Sequence, residues 1–207
     1  MTKIPEELPI LFSADMVKAI LDGRKTVTRR VINIPAYYQL AKKPQSYGPD
    51  DYAFLDMADP IGTYPTLVKP RYHAGDLLWV KETYCHGIEW DDCKPSEVDP
   101  LCGGNDIWYF ADGERPIEGW GKKRSSRFMP KWVARIWLEV LNVRPPEKLQ
   151  DISTEDCKRE GITSCIKKGC PTFKTAFAEL WDKLNAKRGY PWDNNNWVWP
   201  YEFKINR

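Results

Sequence analysis

Gly23-Arg24-Lys25-Thr26-Val27-Thr28-Arg29-Arg30 follows directly on a short helical pattern and turns it into a strand. Upstream, Ser13 is a good N-cap for a helix over about 14–22, with Val17, Ile20 and Leu21 on one face. Gly23 stands where a left-handed residue ends such a helix. Beyond it Lys25–Ile32 reads as extended, so side chains alternate. Arg24, Thr26 and Thr28 share one face, and Lys25, Val27 and Arg29 share the other. A bend at the helix exit can still swing Lys25 toward Thr28. A lysine near a threonine hydroxyl is material for an activated nucleophile or for an anion clamp.

Outward from this stretch, 35–71 shows tyrosines, prolines and polar residues without a period and reads as an irregular excursion, a lid or insertion. Gly75-Asp76 turns into a strand over 77–84, and 85–105 reads as loop. Ile107–Phe110 is a short strand before an Asp-Gly turn, and Ala134–Arg144 a longer one. Ser153 caps a helix that has Asp156 at its third position, carries Glu160 and stops at Gly161. Pro171 opens the next helix, with Phe173, Phe177, Leu180, Trp181 and Leu184 at helical spacing. Trp197, Trp199, Tyr201, Phe203 and Ile205 share a face of the closing strand, which Pro200 assigns to an edge or bulge. These elements predict an α+β chain: a small mixed β-barrel with flanking helices, one domain over 1–207, and long insertions at about 35–70 and 85–120.

Bulk composition sets the outer limits. A hydrophobic share of 42% with ten tryptophans supports a packed core and excludes general disorder. With 31 basic and 29 acidic residues the net charge is +2, so the chain has no global nucleic-acid footprint. No apolar run approaches the ~20 residues of a membrane span. The charged first thirty residues hold no signal peptide, so a cytoplasmic location with no membrane partner is expected. The six cysteines lack a C-x2-C pair; Cys85, His86, Cys93 and Cys102 have irregular spacing for zinc, and reduced structural thiols without metal are expected.

Five blocks, in order, are similar to the ASCH-domain family, in particular its longer phage and prophage group. They are Leu11-Phe12-Ser13 with the Gly23–Arg30 motif, Gly75–Thr83, Met129–Ile136, Leu149–Ile162 and Leu180–Gly189. The resemblance implies a PUA-like fold and RNA or modified nucleosides as partners, with no cofactor. One branch of the family consists of small amidohydrolases that remove the acetyl group from N4-acetylcytidine. Carried over by position, their lysine, threonine and glutamate are Lys25, Thr28 and Glu160. Arg29 departs from that pattern, because the small enzymes place an apolar residue between the threonine and the arginine.

The resemblance thus implies an amidohydrolase acting on an N4-acylated cytidine, with Lys25 as base, Thr28 as nucleophile and Glu160 as acid or base at the leaving amine. Lysine can serve as base only if burial or cationic neighbours lower its pKa, so Glu160 is expected at the leaving amine or on the cytosine edge rather than ion-paired to Lys25. Candidate substrate contacts are Arg24, Thr26, Arg29, Lys81, Glu82 and Trp132. Arg30, Lys122, Lys123, Arg124, Arg127 and Lys131 could extend an anionic groove, with Tyr84, Trp132 or Trp199 stacking bases. The alternatives are a non-catalytic RNA-binding module and a metal-independent ribonuclease using the same cleft. The blander counterparts are a structural Lys25–Glu160 salt bridge, a strand-end salt bridge at Glu82 and tryptophans in the core.

Overall fold

A computed structural model describes residues 4–34, 44–46, 48, 52–54, 66–98, 100–103, 106–115, 118–163 and 172–206, with the backbone alone at 66, 102 and 103. In chain order the first elements are β1 (Glu7–Leu11), α1 (Ala14–Leu21), β2 (Val27–Val31), β3 (Gln45–Ser46), β4 (Tyr52–Phe54) and β5 (Thr66–Val68). Then come β6 (Leu77–Lys81), β7 (Tyr84–His86), α2 (Pro100–Gly103), β8 (Ile107–Tyr109) and β9 (Trp137–Val143). The last are β10 (Glu147–Lys148), α3 (Thr154–Arg159), α4 (Phe173–Asn185) and β11 (Trp197–Ile205). The fold is of the mixed α+β class that the sequence predicts. It divides into two compact units, one from 1–24, 75–139 and 204–207, the other from 25–74 and 140–203.

In the first unit β6 runs parallel to β1 and antiparallel to the start of β9. Alternation on β6 buries Leu78 and Val80, which join Ile10, Val17, Ile20 and Leu138 in the core. Ser13 caps α1 by accepting from the Met16 N–H, and Gly23 leaves the helix at φ +71°, a conformation that costs glycine little. The sequence pattern does not predict β1, because Pro9 interrupts it; the strand is tolerated at a sheet edge. Nor does it predict β7, α2 or the turn of 3-10 helix at Ile88–Trp90 within the expected 85–105 loop. Elements of three or four residues are too short to display a period.

In the second unit β11 is antiparallel to β2 along one edge and to β10 along the other. Pro200 is therefore inside a strand paired on both edges, not at a sheet edge. Its carbonyl accepts from the Arg144 N–H at 3.0 Å, and alternation puts its missing N–H on that same edge. One face of this sheet packs on α3 and α4 through Val198, Leu149, Ile152, Cys157, Phe177 and Trp181. The other meets β3–β4–β5, an antiparallel sheet where the sequence predicts only irregular chain. Phe54 and Tyr52 stand edge-on to Trp197 and Trp199 at 5.2 and 5.3 Å. The lid expected over 35–71 lies partly outside the described residues. Helix α4 begins at Phe173 with Thr172 as N-cap, two residues beyond the predicted Pro171 start. Cys85, Cys93 and Cys157 are free thiols, whereas Cys165, Cys170 and the Cys102 side chain lie outside the described residues.

Because Phe177 is 3% exposed between Trp181 and Trp192, Phe177→Ala is expected to cost about 3–5 kcal/mol in urea unfolding. A loss below about 1 kcal/mol would refute this packing.

Candidate functional site

The helix capped by Ser153 ends at Glu160, and Gly161, at φ +96°, reverses the chain. This brings the helix end alongside the motif: the Thr26 N–H donates to the Arg159 carbonyl at 2.8 Å, and Lys25 bridges to Glu160 across 135 residues of chain. The Lys25 ammonium donates to Glu160 Oε2 at 2.5 Å, to the Glu160 carbonyl at 3.1 Å and to the Val27 carbonyl at 2.9 Å. Lys25 is 1% exposed and Glu160 4%. The expected separation of the two is thus not what forms; they are an ion pair.

Burial lowers the Lys25 pKa, Glu160 opposes the shift, and Arg30 and Arg29 add to it. Three acceptors around one nitrogen fit the three N–H groups of an ammonium, since a neutral amine has only two to give. In this arrangement Lys25 is charged, yet one proton shift over 2.5 Å would make both members of the pair neutral.

Arg29 holds the rest together. Its guanidinium, with no exposed side-chain surface, meets Glu147 at 2.7 Å, Glu160 at 3.3 Å and Asp156. Burial pulls its pKa down, but the carboxylates more than reverse this, and it stays raised. Asp156 also takes Arg144 at 2.6 Å, and Glu202 takes Arg159 at 3.1 Å. Lys25, Arg29, Arg144 and Arg159 thus face Glu147, Asp156, Glu160 and Glu202, four charges of each sign. Sequence reading assigns Asp156 only to a cap and passes over Glu147 and Arg144. The spacing of Asp156 and Glu160, i and i+4 on one helix from its first turn to its C-cap, is the signal that joins two of them.

Thr28 is 3% exposed. Strand alternation puts it with Arg30, on the face opposite Val27 and Arg29, and its cross-strand neighbour is Tyr201. Tyr201 in turn accepts from the Arg71 N–H at 3.1 Å and stands edge-on to Tyr72. The link from Lys25 to Thr28 is the Val27 carbonyl, which belongs to the peptide bonded to Thr28.

The other expected contacts are spread more widely. Thr26 Oγ1 accepts from Arg159 Nε at 3.4 Å. In the first unit, Arg24 is exposed and paired with Asp22 at 2.7 Å, and Lys81 donates to the Arg127 carbonyl at 2.6 Å. Buried Glu82 has both oxygens on Arg135, which also grips Asp112 and lies 3.9 Å from the Tyr109 ring centroid. Burial raises the Glu82 pKa against the pull of Arg135. Half-buried Trp132 stacks on His86 with centroids 5.7 Å apart. Tyr84 and Trp199, expected as base-stacking surfaces, are buried at 0% and 4%. Arg124, expected in the groove, turns inward to the Trp90 and Cys93 carbonyls.

No protein-family model and no curated protein matches this sequence. Solved structures are similar to it, among them the following two. A DUF984 protein of Enterococcus faecalis V583 has 9% identity and a TM-score of 0.41, over 100% of this chain and 78% of that one. An ASCH domain from Lactobacillus crispatus JV V101 has 12% identity and a TM-score of 0.39, over 97% and 79%.

Removing Arg29 strands buried carboxylates, so Arg29→Met is expected to cost about 3–5 kcal/mol in chemical denaturation; an unchanged midpoint would overturn the network. Burial pushes the Asp156 pKa up, but hydrogen bonds from Arg144 and Arg29 outweigh it and hold it below the usual range. With the folded value depressed, its stabilisation is complete above about pH 4 and lost as pH falls through the folded pKa. The stability gap between wild type and Asp156→Asn should therefore be wide at neutral pH and close in acid. A gap constant with pH would contradict the assignment.

Proposed function

We propose that this protein is a PUA-like amidohydrolase that removes the acyl group from an N4-acylated cytidine or a closely related modified nucleoside. The observation that supports the reading best is the buried 2.5 Å pair of Lys25 and Glu160, formed by the two motif residues most distant in sequence. Hidden ionisable groups with a shifted lysine pKa are common at reactive sites. The ordered blocks resembling the ASCH family supply the substrate class.

In this mechanism the already buried ion pair neutralises itself as substrate binds, Lys25 passing a proton to Glu160. Burial favours this because it penalises both charges. The free amine of Lys25 then accepts the Thr28 hydroxyl proton as Thr28 Oγ1 attacks the acyl carbonyl. The C–N bond breaks, Glu160 delivers its proton to the departing 4-amino nitrogen, and cytidine leaves. Water hydrolyses the Thr28 ester, releasing the carboxylic acid and restoring the hydroxyl. Arg29 is a positioning residue here, fixing Glu160 without touching substrate.

A second reading, a non-catalytic module for a nucleobase or RNA, draws on two observations. The three ammonium hydrogens of Lys25 are all spent inside the protein, and Thr28 faces Tyr201.

Incubation of the full chain with N4-acetylcytidine, followed by chromatography for cytidine, separates the two. Turnover is expected to fall about 10²–10⁴-fold in Glu160→Gln and in Lys25→Met, and to vanish in Thr28→Ala. Thr28→Ser should retain part of it. No cytidine from the wild type, or full activity in folded Thr28→Ala, would refute the hydrolase.

A further inference from the structure

In the first unit the chain over 120–127 runs antiparallel beside 81–87. The Gly121 N–H donates to the His86 carbonyl at 2.9 Å, and Arg124 and Tyr84 exchange backbone bonds at 2.8 and 3.3 Å. At the far end the Lys81 ammonium closes on the Arg127 carbonyl at 2.6 Å. A turn of 3-10 helix over Ser126–Phe128 follows, with Ser125 as its cap, accepting from the Arg127 N–H. This turn leaves Phe128 65% exposed.

A single exposed ring needs no explanation, but this one stands among cations whose charges are unanswered. Lys122, Lys123 and Arg127 are exposed, and 121–131 contains no acidic residue. The carboxylates nearby are committed elsewhere. Glu82 and Asp112 hold Arg135, Glu7 holds Lys131, and Asp91 accepts from the Lys122 backbone N–H at 2.6 Å. Among the described residues no carboxylate pairs with the side chains of Lys81, Lys122, Lys123 or Arg127. Lys123 lies instead 4.7 Å from the centroid of the Phe110 ring.

Cations free of carboxylates are what a phosphate chain requires, because its affinity comes from released counterions. A flat ring beside them gives a base something to stack on. In a duplex the bases are stacked on one another and closed to Phe128, so the ring selects a single strand.

We propose that this ribbon docks a short single strand of RNA, with Phe128 stacking on a base and Lys81, Lys122, Lys123 and Arg127 on the phosphates. The choice of ribose over deoxyribose rests on the cytidine reading above; the surface itself does not.

The test is fluorescence anisotropy of the full chain with a short labelled oligouridylate across a salt series. The logarithm of the affinity should fall against that of salt with a slope of about −2 to −3, as three or four phosphates are met. Phe128→Ala should weaken binding roughly five- to 150-fold with the slope unchanged, and Phe128→Trp should retain it. Lys122→Gln, Lys123→Gln and Arg127→Gln combined should remove about 2 from the slope. All four positions are exposed, so urea midpoints should stay with the wild type.

No binding of the RNA would overturn the proposal, as would full affinity in Phe128→Ala. Tighter binding of a hairpin duplex, of the deoxy strand or of phosphatidylserine vesicles would overturn it too. The two readings fail separately. RNA bound through Phe128 with no cytidine released keeps the surface and removes the hydrolase; deacylation of the free nucleoside with no RNA bound keeps the hydrolase and removes the surface.

Discussion

A guanidinium removed from water must find acceptors for its hydrogens, and Arg29 finds three carboxylates on two separate pieces of chain. Glu147 comes from a two-residue strand, Asp156 from the first turn of a helix and Glu160 from that helix's end. Arg29 itself lies in the strand that begins two residues after Lys25. None of these segments is long enough to be placed by its own apolar face alone. The shared cation sets where the helix end stands against the motif, and so brings Glu160 to Lys25. The ion network thus has a positional meaning that a net stabilisation would not convey, since buried pairs return little energy over apolar packing.

Much of this frame is visible in the sequence. The caps at Ser13 and Ser153, the stops at Gly23 and Gly161, and the aromatic strand 197–205 follow from local rules that tertiary contacts do not override. Lys25 and Glu160 are legible only through the ordered motifs, because no local rule relates residues 135 apart. What could not be read has a physical cause in each case. Strands β3, β4 and β5 are two or three residues long and are organised by the tryptophans they cover, not by their own periodicity. Pro200 suggests an edge because one N–H is missing from the ladder. Pro200 lies inside a paired strand instead, in register with Arg29 on one edge and with its carbonyl bonded to the Arg144 N–H on the other. Arg29 reads as a groove residue from its charge, yet its register turns it onto the carboxylates.

The chemistry depends on a balance between burial and pairing. Burial alone pushes Lys25 toward the free amine, and Glu160 holds the proton in place. The same pairing extends outward. Around the site carboxylates match cations, four charges of each sign. Tyr84 and Trp199, which could have stacked bases, are instead consumed in packing.

The most direct measurement is mass spectrometry of the full-length protein quenched during reaction with N4-acetylcytidine. The account predicts a single acetyl group, on the peptide containing Thr28, together with released cytidine. Released cytidine with the acetyl on another residue, or a protein left unmodified with no cytidine formed, would contradict it.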